Sequence, residues 1–284
     1  MNHRLILIEG IPGSGKTTLS ARLETWLQEQ EIKTMLYREG DAHPADMAWN
    51  ALLTRDEMDE VKKNHPRLIP KLDDLTRQDG DQFILAYTKI GYEAMGSELQ
   101  EFFAPHEVYD GRVPLEVFEG LHRRRWAEFA GLAMDHPDTV YLFECSFLQN
   151  HVNELLTAHN KSEAEILAYL NALAAPVMPL NPILLYLDQP DPDETIRRVA
   201  AERVNPPESG RPDWIQLVIR YVEDSQYGRT HGLNGLDGAL HLIRERKKIE
   251  MAVWPDLKMD RAIIPNPDYD WDAVFHEMTR VVGV

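Results

Sequence analysis

Short apolar runs alternate with stretches of helical periodicity along this chain. Leu5-Ile6-Leu7-Ile8, entered through Arg4, reads as a buried strand. Thr34-Met35-Leu36-Tyr37, Thr139-Val140-Tyr141-Leu142-Phe143 and Ile183-Leu184-Leu185-Tyr186-Leu187 repeat the pattern, and Arg261-Ala262-Ile263-Ile264 supplies a fifth, shorter run. The runs are continuous rather than alternating, as in strands covered on both faces. An α/β fold is therefore expected, with a five-stranded, mainly parallel sheet and helices on either side. The three middle runs lead into acidic residues, Arg38-Glu39-Gly40-Asp41, Glu144 and Asp188. These stand at the carboxyl edge, where open α/β sheets bind ligands.

Helix starts are legible between the runs. Thr54-Arg55-Asp56-Glu57 and Ser162-Glu163-Ala164-Glu165 are capping boxes, and Asp191-Pro192-Asp193-Glu194 places proline at the first helical position behind an aspartate cap. After Asp270, the spacing of Trp271, Val274, Phe275 and Met278 predicts a C-terminal helix. From Pro114 to Ala133 one helix is expected, with Phe118, His122, Arg125 and Phe129 on a single stripe and Arg123 and Arg124 off it. About a hundred residues separate Gly40 from Thr139, far more than one crossover helix needs. The expected division is a core of residues 1–41 and 136–284 with a large helical insertion at 42–135. A second excursion, about 205–255, opens on Asn205-Pro206-Pro207-Glu208-Ser209-Gly210-Arg211-Pro212 and continues into helical patterns. Such punctuation beside helices fits a hinged helical lid, with an ordinary surface loop as the alternative for 205–212.

Composition narrows the class. The 284 residues are 43% hydrophobic and 27% charged, an ordinary globular balance with room for a sizeable core. No apolar run approaches the roughly 20 residues that span a bilayer, and no signal-peptide pattern opens the chain, so a soluble cytoplasmic protein with no membrane partner is expected. The single cysteine, Cys145, excludes an intrachain disulfide and a multi-cysteine metal site. With 30 basic against 47 acidic residues the net charge is -17, which argues against long nucleic acid as a partner. It also makes each arginine cluster informative, because an anionic ligand then needs local positive potential. A homodimer is left open.

Gly10-Ile11-Pro12-Gly13-Ser14-Gly15-Lys16-Thr17 matches G-x-x-x-x-G-K-[ST] between the first strand and a helical pattern over Thr17–Leu27. Gly10, Pro12, Gly13, Ser14, Gly15, Lys16, Thr17 and Thr18 are the expected cradle for a triphosphate. Lys16 would reach the outer phosphates, and the Thr17 hydroxyl would ligate magnesium. No guanine-reading N-K-x-D motif occurs, and no apolar strand ends in Asp-Glu or Asp-Asp; the third strand instead runs Leu142-Phe143-Glu144-Cys145-Ser146.

At these positions the chain resembles the P-loop nucleoside and nucleotide kinases, specifically deoxynucleoside kinases and thymidylate kinases. Ile8-Glu9-Gly10 resembles their Phe-Glu-Gly approach to the loop, and Phe143-Glu144-Cys145-Ser146 resembles the Glu-Arg-Ser or Asp-Arg motif. Leu187-Asp188 with Arg197, Arg198 and Arg203 is similar to the strand and arginine-bearing helix that lead into their lid. The resemblance covers the sheet framework at either end of the chain and leaves out the insertion. It implies transfer of the γ-phosphoryl group of ATP to a nucleoside, a nucleotide or another hydroxyl-bearing small molecule. It assigns Thr17 and Glu144 to magnesium, and Arg197, Arg198 or Arg203 to charge on the moving phosphoryl group.

Glu39 falls where deoxynucleoside kinases keep their base, with Asp41 as its substitute; thymidylate kinases carry Arg-Glu-Pro at the same place. A hydroxyl acceptor needs such a base, whereas a phosphate acceptor does not. Arg125, on a mainly apolar stripe, is a candidate acceptor contact. Cys145 stands where those families have arginine, so another arginine must compensate or the acceptor must differ. Tyr87, Tyr92, Phe102, Phe103, Trp126 and Phe129 suit either a helical core or stacking on a planar acceptor, and His122 reads as a core histidine. A nucleotide-dependent switch with a partner-binding insertion is the alternative function.

Overall fold

The computed structural model describes residues 2–283. In chain order its elements are β1 (Leu5–Glu9), α1 (Lys16–Glu29), β2 (Lys33–Tyr37), β3 (Ala51–Thr54), α2 (Arg55–Asn64), α3 (Ile69–Leu75), β4 (Thr76–Asp79), β5 (Gln82–Leu85), α4 (Tyr92–Phe103) and α5 (Leu115–Asp135). There follow β6 (Thr139–Glu144), α6 (Gln149–Thr157), α7 (Glu163–Ala174), β7 (Ile183–Asp188), α8 (Pro192–Glu202), α9 (Trp214–Asp224), α10 (Gln226–His231), α11 (Gly235–Val253), β8 (Asp260–Pro265) and α12 (Trp271–Val282). No helix among the described residues is long and apolar enough to cross a membrane.

Two compact units divide the chain: one runs to Leu36 and resumes at Ala130, and the other is Tyr37–Phe129. The breaks thus fall at 36/37 and 129/130 rather than at 41/42 and 135/136. The first unit holds the five apolar runs as one sheet in the order β2-β6-β1-β7-β8. β1 pairs in parallel with both β6 and β7, and β7 with β8. The three inner strands are almost wholly buried, as continuous apolar sequence requires, while β2 and β8 at the edges are part exposed. Leu19 and Leu23 of α1 and Val274 and Met278 of α12 pack on Ile6, Ile8, Leu142 and Leu185. This order, with the glycine-rich loop between the central strand and α1, is an α/β fold with a parallel sheet and a phosphate-loop motif at its centre.

The expected helix starts are present. Thr54 and Ser162 form reciprocal capping boxes with Glu57 and Glu165, and Asp191 and Asp270 accept from the amides of Glu194 and Ala273. The stretch expected as a lid contains α9, α10 and α11, and α11 is largely interior. Its Leu240 and Ile243 pack with Ile11 and Ile196, while residues 201–211 form a continuous exposed segment.

The second unit corrects the expectation of a helical insertion, because it holds a small sheet beside its helices. It contains an antiparallel sheet, β3-β5-β4, whose β4–β5 hairpin turns through Gly80-Asp81 with Gly80 at φ +60°. Glycine at the first central position of a two-residue loop matches the twist of the flanking strands. Four-residue strands, one of them reading Thr-Arg-Gln-Asp, carry no apolar period to betray the sheet. Leu53 and Leu85 of that sheet pack with Met58, Val61, Leu99 and Phe103 into a core within this unit.

Leu142 is fully buried on the inner strand β6. Leu142→Ala is expected to destabilise the protein by about 2–5 kcal/mol, read as a lowered midpoint in chemical denaturation.

Candidate functional site

The loop after β1 has a backbone that only glycine fits. Gly13 has φ +85°, and a Cβ there would stand 2.2 Å from Val199 Cγ2 of α8. Gly15 has φ +87°, and its Cβ would stand 2.4 Å from the Trp271 ring at the start of α12. Gly15 is also the left-handed N-cap of α1, with no side chain capping the helix, so the first amides of α1 are left for a ligand.

Lys16 is buried and its ammonium is held by three oxygens: Gly10 O at 2.8 Å, Ile11 O at 3.0 Å and Gln149 Oε1 at 3.2 Å. Thr17 Oγ1 donates to Glu144 Oε1 at 2.5 Å, bringing together the two residues expected at a metal. Glu144 Oε2 and Ser14 Oγ are buried and lack a hydrogen-bond partner among the described residues. An exchangeable carboxylate–hydroxyl pair with a spare carboxylate oxygen suits a hard divalent cation arriving with a nucleotide.

Glu9 closes the base of this arrangement. It is fully buried; its carboxylate accepts from the Phe147 amide at 2.7 Å and the Gln149 amide at 2.9 Å. Burial pushes its pKa up to about 7, with the charge of Glu250 adding to the rise against the opposing effect of those amides. The carboxylate fixes the start of α6, from which Gln149 reaches Lys16.

The three arginines expected near the phosphates separate. Arg198 lies with its guanidinium 3.4 Å from the Tyr269 ring centre and donates to Gly13 O at 3.3 Å. Arg197 is exposed and stands 3.9 Å from Asp237, and Arg203 lies over the Trp214 ring. Only Arg198 therefore meets the loop. Cys145 is buried with φ +63°, and its amide donates to Ile8 O at 3.2 Å.

Glu39, Asp41 and Arg125 belong to the second unit. Glu39, part buried, follows β2 by two residues. Asp41 accepts from the Arg38 amide at 2.8 Å and pairs with Lys89 at 2.7 Å. Arg125 is buried, donating to Glu128 at 2.6 Å and to Pro44 O at 3.1 Å, whereas Arg123 and Arg124 are exposed and pair with Glu119 and Asp79. Arg125 lines a small cavity with Arg77, His43 and Asp46. Arg77 donates to Ala42 O at 2.9 Å, and burial together with the Arg125 charge lowers its pKa.

His43 Nδ1 accepts from the amides of Ala45 and Asp46, so its proton is on Nε2; burial lowers its pKa to about 4, and it stays neutral at pH 7. His122 bonds Phe118 O and the Tyr109 hydroxyl, which donates to Asp46, so it is a satisfied core histidine. Phe103, Trp126, Phe129 and Tyr87 are core and Phe102 packs beside them, leaving Tyr92 exposed.

Gln149 and Arg77 lie in no motif and follow no apolar period; long-range folding alone brings Gln149 to Lys16 in the first unit and Arg77 to the cavity of the second. Arg77 sits on one of the strands that were themselves hidden.

No family model matches this chain, and no curated protein matches it. Among solved structures it is similar to a thymidylate kinase from Candida albicans at 12% identity and a TM-score of 0.42, over 99% of this chain and 91% of that one.

A carboxylate whose folded pKa is raised adds stability below its unfolded pKa, and that stability is lost as the pH rises through the folded value. The stability of Glu9→Gln relative to wild type is therefore expected to rise between pH 4.5 and about 7 and then level off, measured by denaturation across pH.

Proposed function

We propose that this protein is an ATP-dependent phosphotransferase acting on a small hydroxyl-bearing molecule, a nucleoside or nucleotide or another metabolite that carries an anionic group. The observation that carries the reading is the meeting of Lys16, Thr17 and Glu144 at the glycine loop. The first unit binds the donor. Lys16 exchanges its carbonyl partners for phosphate oxygens, the α1 amides take the β- and γ-phosphates, and Arg198 adds positive charge beside Gly13. Thr17 and Glu144 hold the divalent cation that accompanies the nucleotide and, when bound, neutralises phosphate charge.

The second unit binds the acceptor. Arg77, Arg125 and neutral His43 line one small cavity together with Asp46, and the two guanidinium groups favour an anionic group over a neutral one. Glu39 takes the proton of the acceptor hydroxyl as its oxygen bonds to the γ-phosphorus. The bond from that phosphorus to the bridging oxygen breaks, and the electron pair leaves with ADP. The exposed segment 201–211 is the part of the chain assigned to lid movement.

Thermal-shift screening of nucleosides, nucleotides and hydroxylated anionic metabolites with a non-hydrolysable ATP analogue and magnesium identifies the acceptor. Stabilisation by no nucleotide would end the reading. With the acceptor in hand, Lys16→Ala is expected to abolish turnover while leaving the melting curve in place. Glu39→Gln is expected to slow phosphoryl transfer by about a hundredfold or more, and an unchanged rate would show an acceptor that needs no base.

A further inference from the structure

Arg246 lies in none of the motifs, yet its guanidinium is one of the most deeply buried charges in the first unit, 6% exposed. Its place follows from its neighbours on α11. Ile243, three residues before it, packs against Ile11 of the glycine loop, and Glu250, four residues after it, accepts from the Tyr186 hydroxyl at 2.7 Å. Tyr186 is aligned with Glu9, the residue that leads into Gly10. Lys247, the next residue, pairs with Asp188 at the carboxyl end of β7 at 2.7 Å. The buried face of α11 therefore crosses the carboxyl ends of β1 and β7, and Arg246 sits between the loop contact and the Glu9–Tyr186 contact. Among the described residues its one ion pair is Nε to Glu250 Oε1 at 3.1 Å. Neither Nε nor Nη2 donates a well-formed hydrogen bond among the described residues.

A buried guanidinium with idle donors is costly unless an acceptor completes it. The strand end at Cys145 offers no cation, so charge brought to this edge must come from another element. We propose that Arg246 is a binding residue for a phosphoryl oxygen, the arginine that α11 supplies to the sheet edge in place of one at Cys145. This rests on the phosphotransferase reading and adds to it a residue and a ligand. The oxygen is assigned to the γ-phosphoryl group of the donor, which would lie against the loop whose Gly10 and Ile11 carbonyls hold Lys16. An oxyanion of the acceptor would use the same chemistry and is separated from it by the test. Glu250 is then a positioning residue, holding Nε so that Nη2 faces the ligand.

The experiment compares wild type, Arg246→Lys, Glu250→Gln and the double variant Arg246→Met with Glu250→Gln, all in the full chain. The double variant removes both charges of the pair and keeps an oxygen for the Tyr186 hydroxyl, so it is expected to fold with a wild-type melting curve. Binding of ADP, a non-hydrolysable ATP analogue and inorganic pyrophosphate is measured with magnesium by calorimetry.

In the double variant ADP affinity is expected to stay within about threefold of wild type, while affinity for the ATP analogue falls at least tenfold. Arg246→Lys keeps the charge and recovers part of that loss. If analogue affinity is unchanged while the acceptor KM rises tenfold, the oxygen belongs to the acceptor. Wild-type affinities and acceptor KM in the folded double variant overturn the assignment and leave Arg246 a structural residue completed by water. If wild type binds neither nucleotide but binds pyrophosphate, and the double variant loses it, the ATP reading falls while the Arg246 site stands. Failure of wild type to bind all three ends both.

Discussion

The geometry of the phosphate loop depends on a carboxylate buried without access to water. Glu9 ends the central strand, and its two oxygens are taken by backbone amides at the start of α6. Hydrogen bonds to a charged group contribute about 1.5–3 kcal/mol each, whereas stripping an ion of water costs several. The rise of Glu9 to about 7 says that burial outweighs the amides. This contact is thus a poor source of stability, and its value is positional. It ties the end of β1 to the first turn of α6, places the Gln149 amide against Lys16, and so sets the resting place of the ammonium beside Gly10 and Ile11. Loop, lysine and helix start are thus held as one piece, which in the proposed reading lowers the ordering cost at binding.

What could be read in the sequence was whatever the backbone itself demands. Glycines are spelled out at 13 and 15 because a Cβ there meets Val199 or Trp271, and the five sheet strands are spelled out because burial on both faces permits only apolar residues. The capping boxes are local hydrogen bonds and are equally visible. The sheet of the second unit stayed hidden because its strands are only four residues long and β4 is wholly polar, although Gly80-Asp81 marked its turn. Side chains gathered from distant positions, Gln149, Arg77 and Arg246, carry no local mark. For Arg246 one signal existed in principle: an arginine on the apolar stripe of Leu242, Ile243, Ile249 and Val253, the same kind of conflict that drew attention to Arg125.

Charge follows a similar logic. In a chain of net charge -17, exposed arginines are easily neutralised by neighbours, as Arg123 is by Glu119 and Arg124 by Asp79. Such pairs contribute little and recognise nothing. The informative cations are the buried ones, Lys16 at the loop, Arg246 on α11 and Arg125, which lines one cavity with the part-buried Arg77. Burial lowers the pKa of Arg77, and the charge of Arg125 adds to the effect. In the proposed reading an anion at that cavity offsets the repulsion between the two guanidinium groups.

Cys145 bears on where a cation at the sheet edge would come from. With φ +63° it occupies a conformation that costs of order 1 kcal/mol or more for a residue with a side chain, immediately after Glu144. The Cys145 side chain is buried in that turn. A long helix crossing the ends of β1 and β7 can bring a cation to the edge without using this stretch, because its side chains reach the edge from outside the strand and its backbone bonds are already satisfied. In the proposed reading α11 serves that purpose, and Arg246 is the cation it brings.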